Sequence, residues 1–189
     1  MISSTVYEAE GLLQQVYVLL KTYGYEVWSS PSGTIPVDPG KSNFENCLEA
    51  VHRCDAFLGF IRPVYGSGKQ GRDLSITHQE LKRAVELDKP RWMLVHSKVT
   101  FARRLLKQYR HDMAGNPINL KFISLKGEFD DLRVIDMYGL AIQADKPLSE
   151  RKNNWVQEYH YDQDALDFVK NQFEDIERIK TILEERNKS

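Results

Sequence analysis

Apolar residues recur at helical spacing from Glu8 to Tyr23, with Leu12, Leu13, Val16, Leu19, Leu20 and Tyr23 on one side, until Gly24 stops the pattern. "YEVWSS" (Tyr25 to Ser30) then reads as a strand, and "PSGTIPVDPGK" as a loop rich in turn formers. Ser42 and Glu45 carry the capping-box spacing for a second helix bearing Phe44, Cys47, Leu48 and Val51. "AFLGFI" (Ala56 to Ile61) is a continuous apolar run, which marks a strand covered on both faces. After the loop "RPVYGSGKQGRDLS" comes a helix, "SITHQELKRAVELDKP", then the strand "RWMLVH" and another helix, "TFARRLLKQYR".

"NLKFISL" (Asn119 to Leu125) reads as a further strand, and Asp131 to Gln143 leans toward helix. From about Asp162 onward the pattern predicts one long helix with an apolar seam of Leu166, Val169, Phe173, Ile176, Ile179 and Leu183. Strands alternating with helices imply an α/β fold, a parallel sheet of about five strands with helices on both faces. The expected division is an α/β domain over 1–145 and a helical extension over 146–189, packing on the domain or on a partner chain. Only Met1 to about Thr5 is available for the first strand, normally a central one. That strand is therefore either very short or begins upstream of this chain.

Composition narrows the function classes. The 189 residues are 41% hydrophobic and 28% charged, enough to bury a core. A formal net charge of −1 argues against a nucleic-acid or anionic-membrane partner held by bulk electrostatics. No apolar run approaches the ~20 residues of a membrane span, and "MISSTVYEAE" lacks the features of a signal peptide. A cytoplasmic setting is the default expectation. Cys47 and Cys54 read as buried free thiols, too few for a disulfide framework or structural zinc.

In parallel α/β sheets ligands bind beyond the carboxyl ends of the strands. Ser3, Ser4 and Thr5, the loop after "YEVWSS", and the loop from Tyr65 through Ser75 and Thr77 should meet there. The first segment offers hydroxyls and backbone N–H groups suited to a phosphate or ribose, or plain helix capping. "YGSGK" is no P-loop: Pro63 stands where the first glycine belongs and Gln70 where Ser or Thr belongs. Tyr65, Gly66 and Ser67 can still shape a pocket rim. The five histidines lack metal-ligand spacing, so no metal is expected.

The informative residue is Glu80. At ~100° per residue, Ile76, Leu81, Ala84, Val85 and Leu87 share one arc, and Glu80 falls inside it. Two readings stand. Thr77 and Glu80 have capping-box spacing, so Glu80 can bond back to the helix start. If Ser75 is the cap, Glu80 lies deeper and faces the sheet. A desolvated carboxylate there can stabilise or attack an oxocarbenium-like centre, as N-glycoside cleavage requires.

The segments "ISSTVYE", "NCLEAVHRCDAFLGFIRPVYGS", "SITHQELKRAVELDKP" and "FARRLL" together resemble the bacterial TIR-like family catalogued as domain of unknown function 4062, over about Met1 to Tyr109. That family is grouped with TIR domains and nucleoside deoxyribosyltransferases. The resemblance implies a flavodoxin-like fold, Glu80 as the catalytic carboxylate, Ser3, Ser4 and Thr5 near the ribose or phosphates, and Tyr65 to Ser67 at the pocket edge. It further implies a nucleotide N-glycosidase acting on NAD or a related nucleotide as substrate, without a cofactor, in bacterial stress or phage-defence signalling. Two alternatives are a non-catalytic interaction or nucleotide-sensing module, self-associating through the C-terminal helix, and a nucleoside deoxyribosyltransferase.

Overall fold

A computed structural model describes residues 1–66, 74–110 and 129–187. Four parallel strands, β1 (Ile2–Ser4), β2 (Phe57–Ile61), β3 (Arg91–His96) and β4 (Asn154–Tyr159), lie side by side in chain order. The described helices are α1 (Glu10–Thr22), α2 (Asn43–Arg53), α3 (Ile76–Glu86), α4 (Ser97–Leu106), α5 (Arg133–Ala141), α6 (Asp162–Phe173) and α7 (Ile176–Asn187). Alternation along β2 and β3 divides the interior. Leu58, Phe60, Trp92 and Leu94 join a core with α1, α6 and α7, while Phe57, Ile61, Met93 and Val95 join one with α3, α4 and α5. β2 is buried along its whole length, as its unbroken apolar run predicts.

Three expectations need correction. The first concerns strand number, which is four among the described residues, not five. "YEVWSS" forms no ladder: Ile2 makes a single parallel bridge to Ser29, and its N–H reaches the Trp28 carbonyl at 2.8 Å. The Thr34 hydroxyl explains the loss, because it accepts from Ser29 N–H and donates to the Val27 carbonyl. A side chain has taken backbone groups that a longer strand would have paired. The predicted strand over 119–125 lies outside the described residues.

The second correction is β4, which pairs with β3 from Arg91↔Asn154 to His96↔Tyr159. The segment 146–189, expected to be helical, thus supplies a strand to the sheet as well as α6 and α7. Third, the long C-terminal helix is two helices. Asp175 ends the run by becoming a cap, its carboxylate accepting from Arg178 N–H at 3.0 Å. The seam itself packs on the domain, with Val169, Phe173 and Ile179 buried beside α1.

Gly59 is where the sheet is tightest. A Cβ there would come within 2.5 Å of Met93 Cε and 2.9 Å of Phe57 Cε1. Gly59→Ala should therefore cost about 1–3 kcal/mol by overpacking, read from urea unfolding, and the loss should shrink in a Met93→Ala background. An equal loss in both backgrounds would refute the assigned contact.

Candidate functional site

Ser75 settles how α3 begins. It takes extended geometry, its hydroxyl accepts from His78 N–H at 3.3 Å, and helical residues start at Ile76. Thr77 lies within the first turn and cannot be the cap, so the capping-box reading of Thr77 and Glu80 fails. With the cap at Ser75, Glu80 stands a full turn into the helix and faces β1. It is only 4% exposed. Ser3 Oγ on β1 donates to Glu80 Oε2 at 2.5 Å, and the Cys47 thiol on α2 also bonds to the carboxylate.

Those two donors are neutral, and burial dominates. Burial pushes the Glu80 pKa up to about 7, with the Ser3 and Cys47 hydrogen bonds opposing it. Cys47 is pushed up to about 12, first by its own burial and then by the neighbouring carboxylate. The thiol therefore stays protonated and serves as a donor rather than a nucleophile.

Glu80 lines a cleft of about 1320 Å³ at the carboxyl ends of the strands. Ser3, Ser4, Thr5, Gly66 and Thr77 line it too. Tyr65 and Ser75 stand behind the wall: Ser75 N–H donates to Tyr65 Oη, which bonds His78 Nδ1 at 2.8 Å. Both rings are buried, and desolvation lowers the His78 pKa, leaving a neutral imidazole to accept the phenol proton. Tyr65 is braced further by Asp130, which accepts its N–H at 2.7 Å, and by the Arg133 guanidinium over its ring. Ser67 lies outside the described residues.

Gly66 is required by geometry. Its φ is +87°, and a Cβ there would sit 2.9 Å from Thr5 Oγ1, so the loop after β2 crosses directly over the end of β1. Thr5 Oγ1 donates to the Tyr65 carbonyl at 3.3 Å across the same junction. The opposite wall is the loop carrying Ser29, Ser30 and Ile35. Asn46 fixes that side: its Oδ1 accepts from Asp38 N–H, and its Nδ2 donates to carbonyls of Asp38, Lys41 and Ser42.

Sequence reasoning missed Cys47 and Asn46 as cleft residues, together with Arg62, His96 and Lys98 at the far end. For Arg62 and His96 a signal existed, since each stands at the end of an apolar strand, where cleft residues of such sheets collect. Asn46 and Cys47 sit in a helix whose contacts could not be read from spacing. Among the described residues no group of three or more His, Cys, Asp or Glu could hold a metal ion, and no helix is long and apolar enough to cross a membrane.

Fold and cleft together define an α/β protein with a desolvated carboxylate beside the strand ends. The chain belongs to the family described as Domain of unknown function (DUF4062), whose model matches residues 1–186. The match runs well past Tyr109, so β4, α6 and most of α7 belong to the family unit. Neither curated proteins nor solved structures give a match to the chain.

The Glu80 environment has a measurable consequence. Its pKa is about 7 in the folded chain against an ordinary 4.5. Below the ordinary value both folded and unfolded states hold the proton; as pH rises toward 7 only the folded state keeps it, so stability falls across that window. Glu80→Gln removes the drop. Its stability relative to wild type should rise by up to about 3 kcal/mol between pH 4.5 and pH 7.5, checked by denaturation at both ends. An offset that does not change with pH would mean that the carboxylate is not desolvated.

Proposed function

We propose that the protein is a TIR-like nucleotide N-glycosidase, cleaving the bond between a ribose and its base, with NAD or a related nucleotide as substrate. The observation that carries this reading is Glu80: a buried carboxylate, not spent on capping, on the wall of a cleft at the strand ends. The single bridge from Ile2 to Ser29 supports a flavodoxin-like ordering, with the residues around Ser29 outside β1 and the chain crossing to β2 on the other side. In that ordering the switch point falls beside β1, where Ser3 meets Glu80.

In the reaction the C1′–N bond breaks and its electron pair leaves with the base. The ionised Glu80 stabilises the cationic sugar carbon or adds to it, and water then supplies the hydroxyl and releases a proton. The Ser3 hydroxyl holds the carboxylate in position. A pKa of about 7 leaves a useful ionised fraction at neutral pH.

A second reading, binding without turnover, draws on the Ser3–Glu80 bond of 2.5 Å, which occupies one carboxylate oxygen in the protein itself. The two separate cleanly. Incubated with NAD, the wild-type protein should release nicotinamide at a rate that climbs as pH passes through about 7. Glu80→Gln should lower that rate by about a hundredfold or more. Equal rates for the two proteins would remove Glu80 from the chemistry, and base exchange between nucleosides with NAD untouched would assign a transferase instead.

A further inference from the structure

The far end of the cleft holds three basic side chains that the Glu80 chemistry does not use, Arg62, His96 and Lys98. Ile61 on β2 lies opposite Val95 on β3, so the next residues, Arg62 and His96, leave the sheet side by side; His96 in turn pairs in register with Tyr159 on β4. Arg62 Nη1 and Tyr159 Oη are both buried without a hydrogen-bond partner among the described residues. Buried polar groups are nearly always satisfied, and each orphan carries a desolvation cost. Of the two, Arg62 lines the cleft and Tyr159 does not, so it is the Arg62 guanidinium that calls for an acceptor from the cleft.

The charges agree. His96 and Tyr159 rings meet edge to face at 5.2 Å. His96 Nδ1 accepts from Lys98 N–H at 3.1 Å, which leaves the proton on Nε2 and makes that atom a donor. Burial and then the positive charges of Lys98 and Arg62 hold the His96 pKa down, with the single acid acting on it, Asp162, ranking below them. Arg62, His96 and Lys98 all line the same cleft as Glu80.

We propose that Arg62 and His96, with Lys98 beside them, form an anion subsite that takes the 5′ phosphates of a nucleoside diphosphate lying across the strand ends with its sugar at Glu80. This rests on the reading of Glu80 as the sugar-facing group. Parallel strands lie about 4.8 Å apart, so Ser3 on β1 and Arg62 beyond β2 are separated by a reach that a ribose and its phosphates span. Tyr159, on β4 and two strands on from β2, backs the His96 ring and does not line the cleft. A bare nucleoside leaves this end of the cleft unfilled and Arg62 Nη1 unsatisfied, so the ligand class is a phosphorylated nucleoside.

Isothermal titration of the full chain with ADP, adenosine and inorganic pyrophosphate tests the proposal. ADP should bind about tenfold or more tighter than adenosine, the effect of a charge-assisted hydrogen bond or two, and pyrophosphate alone should compete with it. Arg62→Gln should bring ADP close to the affinity of adenosine, and Lys98→Gln, which alters an exposed side chain, should weaken ADP by a smaller factor. Thermal melts establish that both variants are folded. Equal affinity of the wild type for ADP and adenosine, failure of all three probes to bind, or unchanged ADP affinity in folded Arg62→Gln would each overturn the subsite. Failure of the glycosidase reading looks different: ADP binding would persist in wild type and in Glu80→Gln, while neither protein released a base.

Discussion

The meeting of Glu80 with Ser3 constrains more of this molecule than any other contact. It joins α3 to β1 across the top of the sheet, and it does so with a carboxylate on which the Met1 ammonium acts only as the weakest of the opposing influences, behind burial and the two hydrogen bonds. Ser3 and Cys47 offer neutral donors only, so much of the cost of removing the charge from water stays uncompensated. The consequence is an acid poised near neutrality instead of one fully ionised. It also dictates where α3 must start. A helix beginning at Ser75 carries Glu80 clear of the first turn; a helix capped two residues later would have consumed the same carboxylate on its own N–H groups.

The short first strand is the second constraint, and it shapes the cleft. β1 spans only Ile2–Ser4, and the chain turns away at Thr5, where the Gly66 backbone passes over it. On the outer side a lone bridge replaces a ladder. The loop after Ser29 is therefore free to stand up beside the strand ends as a wall, held by Asn46 and Thr34 and not by sheet pairing. A longer strand at this position would have flattened that wall into the sheet and opened the cleft.

Much of this was legible in advance because the signals were local. The run "AFLGFI" announced a strand covered on both faces, and the Ser42–Glu45 box announced the start of α2, where both reciprocal bonds form. Glu80 stood out because an acid broke an apolar arc, and the arc held. The misses were non-local or depended on competition. β4 is only half-buried or exposed until Tyr159, and Asn154, Gln157 and Glu158 dilute the strand-forming Trp155, Val156 and Tyr159; its partner β3 decides. Asp175 looked like one more polar residue on a helical seam, yet its side chain caps a new helix. Thr34 removed a strand through a hydroxyl five residues away from the group it satisfies. Tyr65 read as a pocket residue because it sits in the right loop, but its hydroxyl is committed to His78 and Ser75.

What remains is an electrostatic asymmetry within one cleft. The acid is on the α3 side of the sheet rim, beside β1. Phe60 and Leu94 turn toward the α1 and α6 face, so alternation sends Arg62 and His96, two residues on from each, to that same side. The two halves are thus separated by the edge of the sheet itself. Had Arg62 approached Glu80 as an ion pair, the carboxylate would have dropped toward the ordinary acid range and the guanidinium would have been satisfied. Keeping them apart leaves the acid protonatable near neutrality and leaves Arg62 Nη1 without a partner among the described residues. Arg62 Nη1 lacks an acceptor and Glu80, though hydrogen-bonded, sits in a site where burial outweighs its donors, so each lacks what the other could supply. A ligand that lays a sugar over one and an anion over the other relieves both, which is a physical reason for such an arrangement to persist at the rim of a fold.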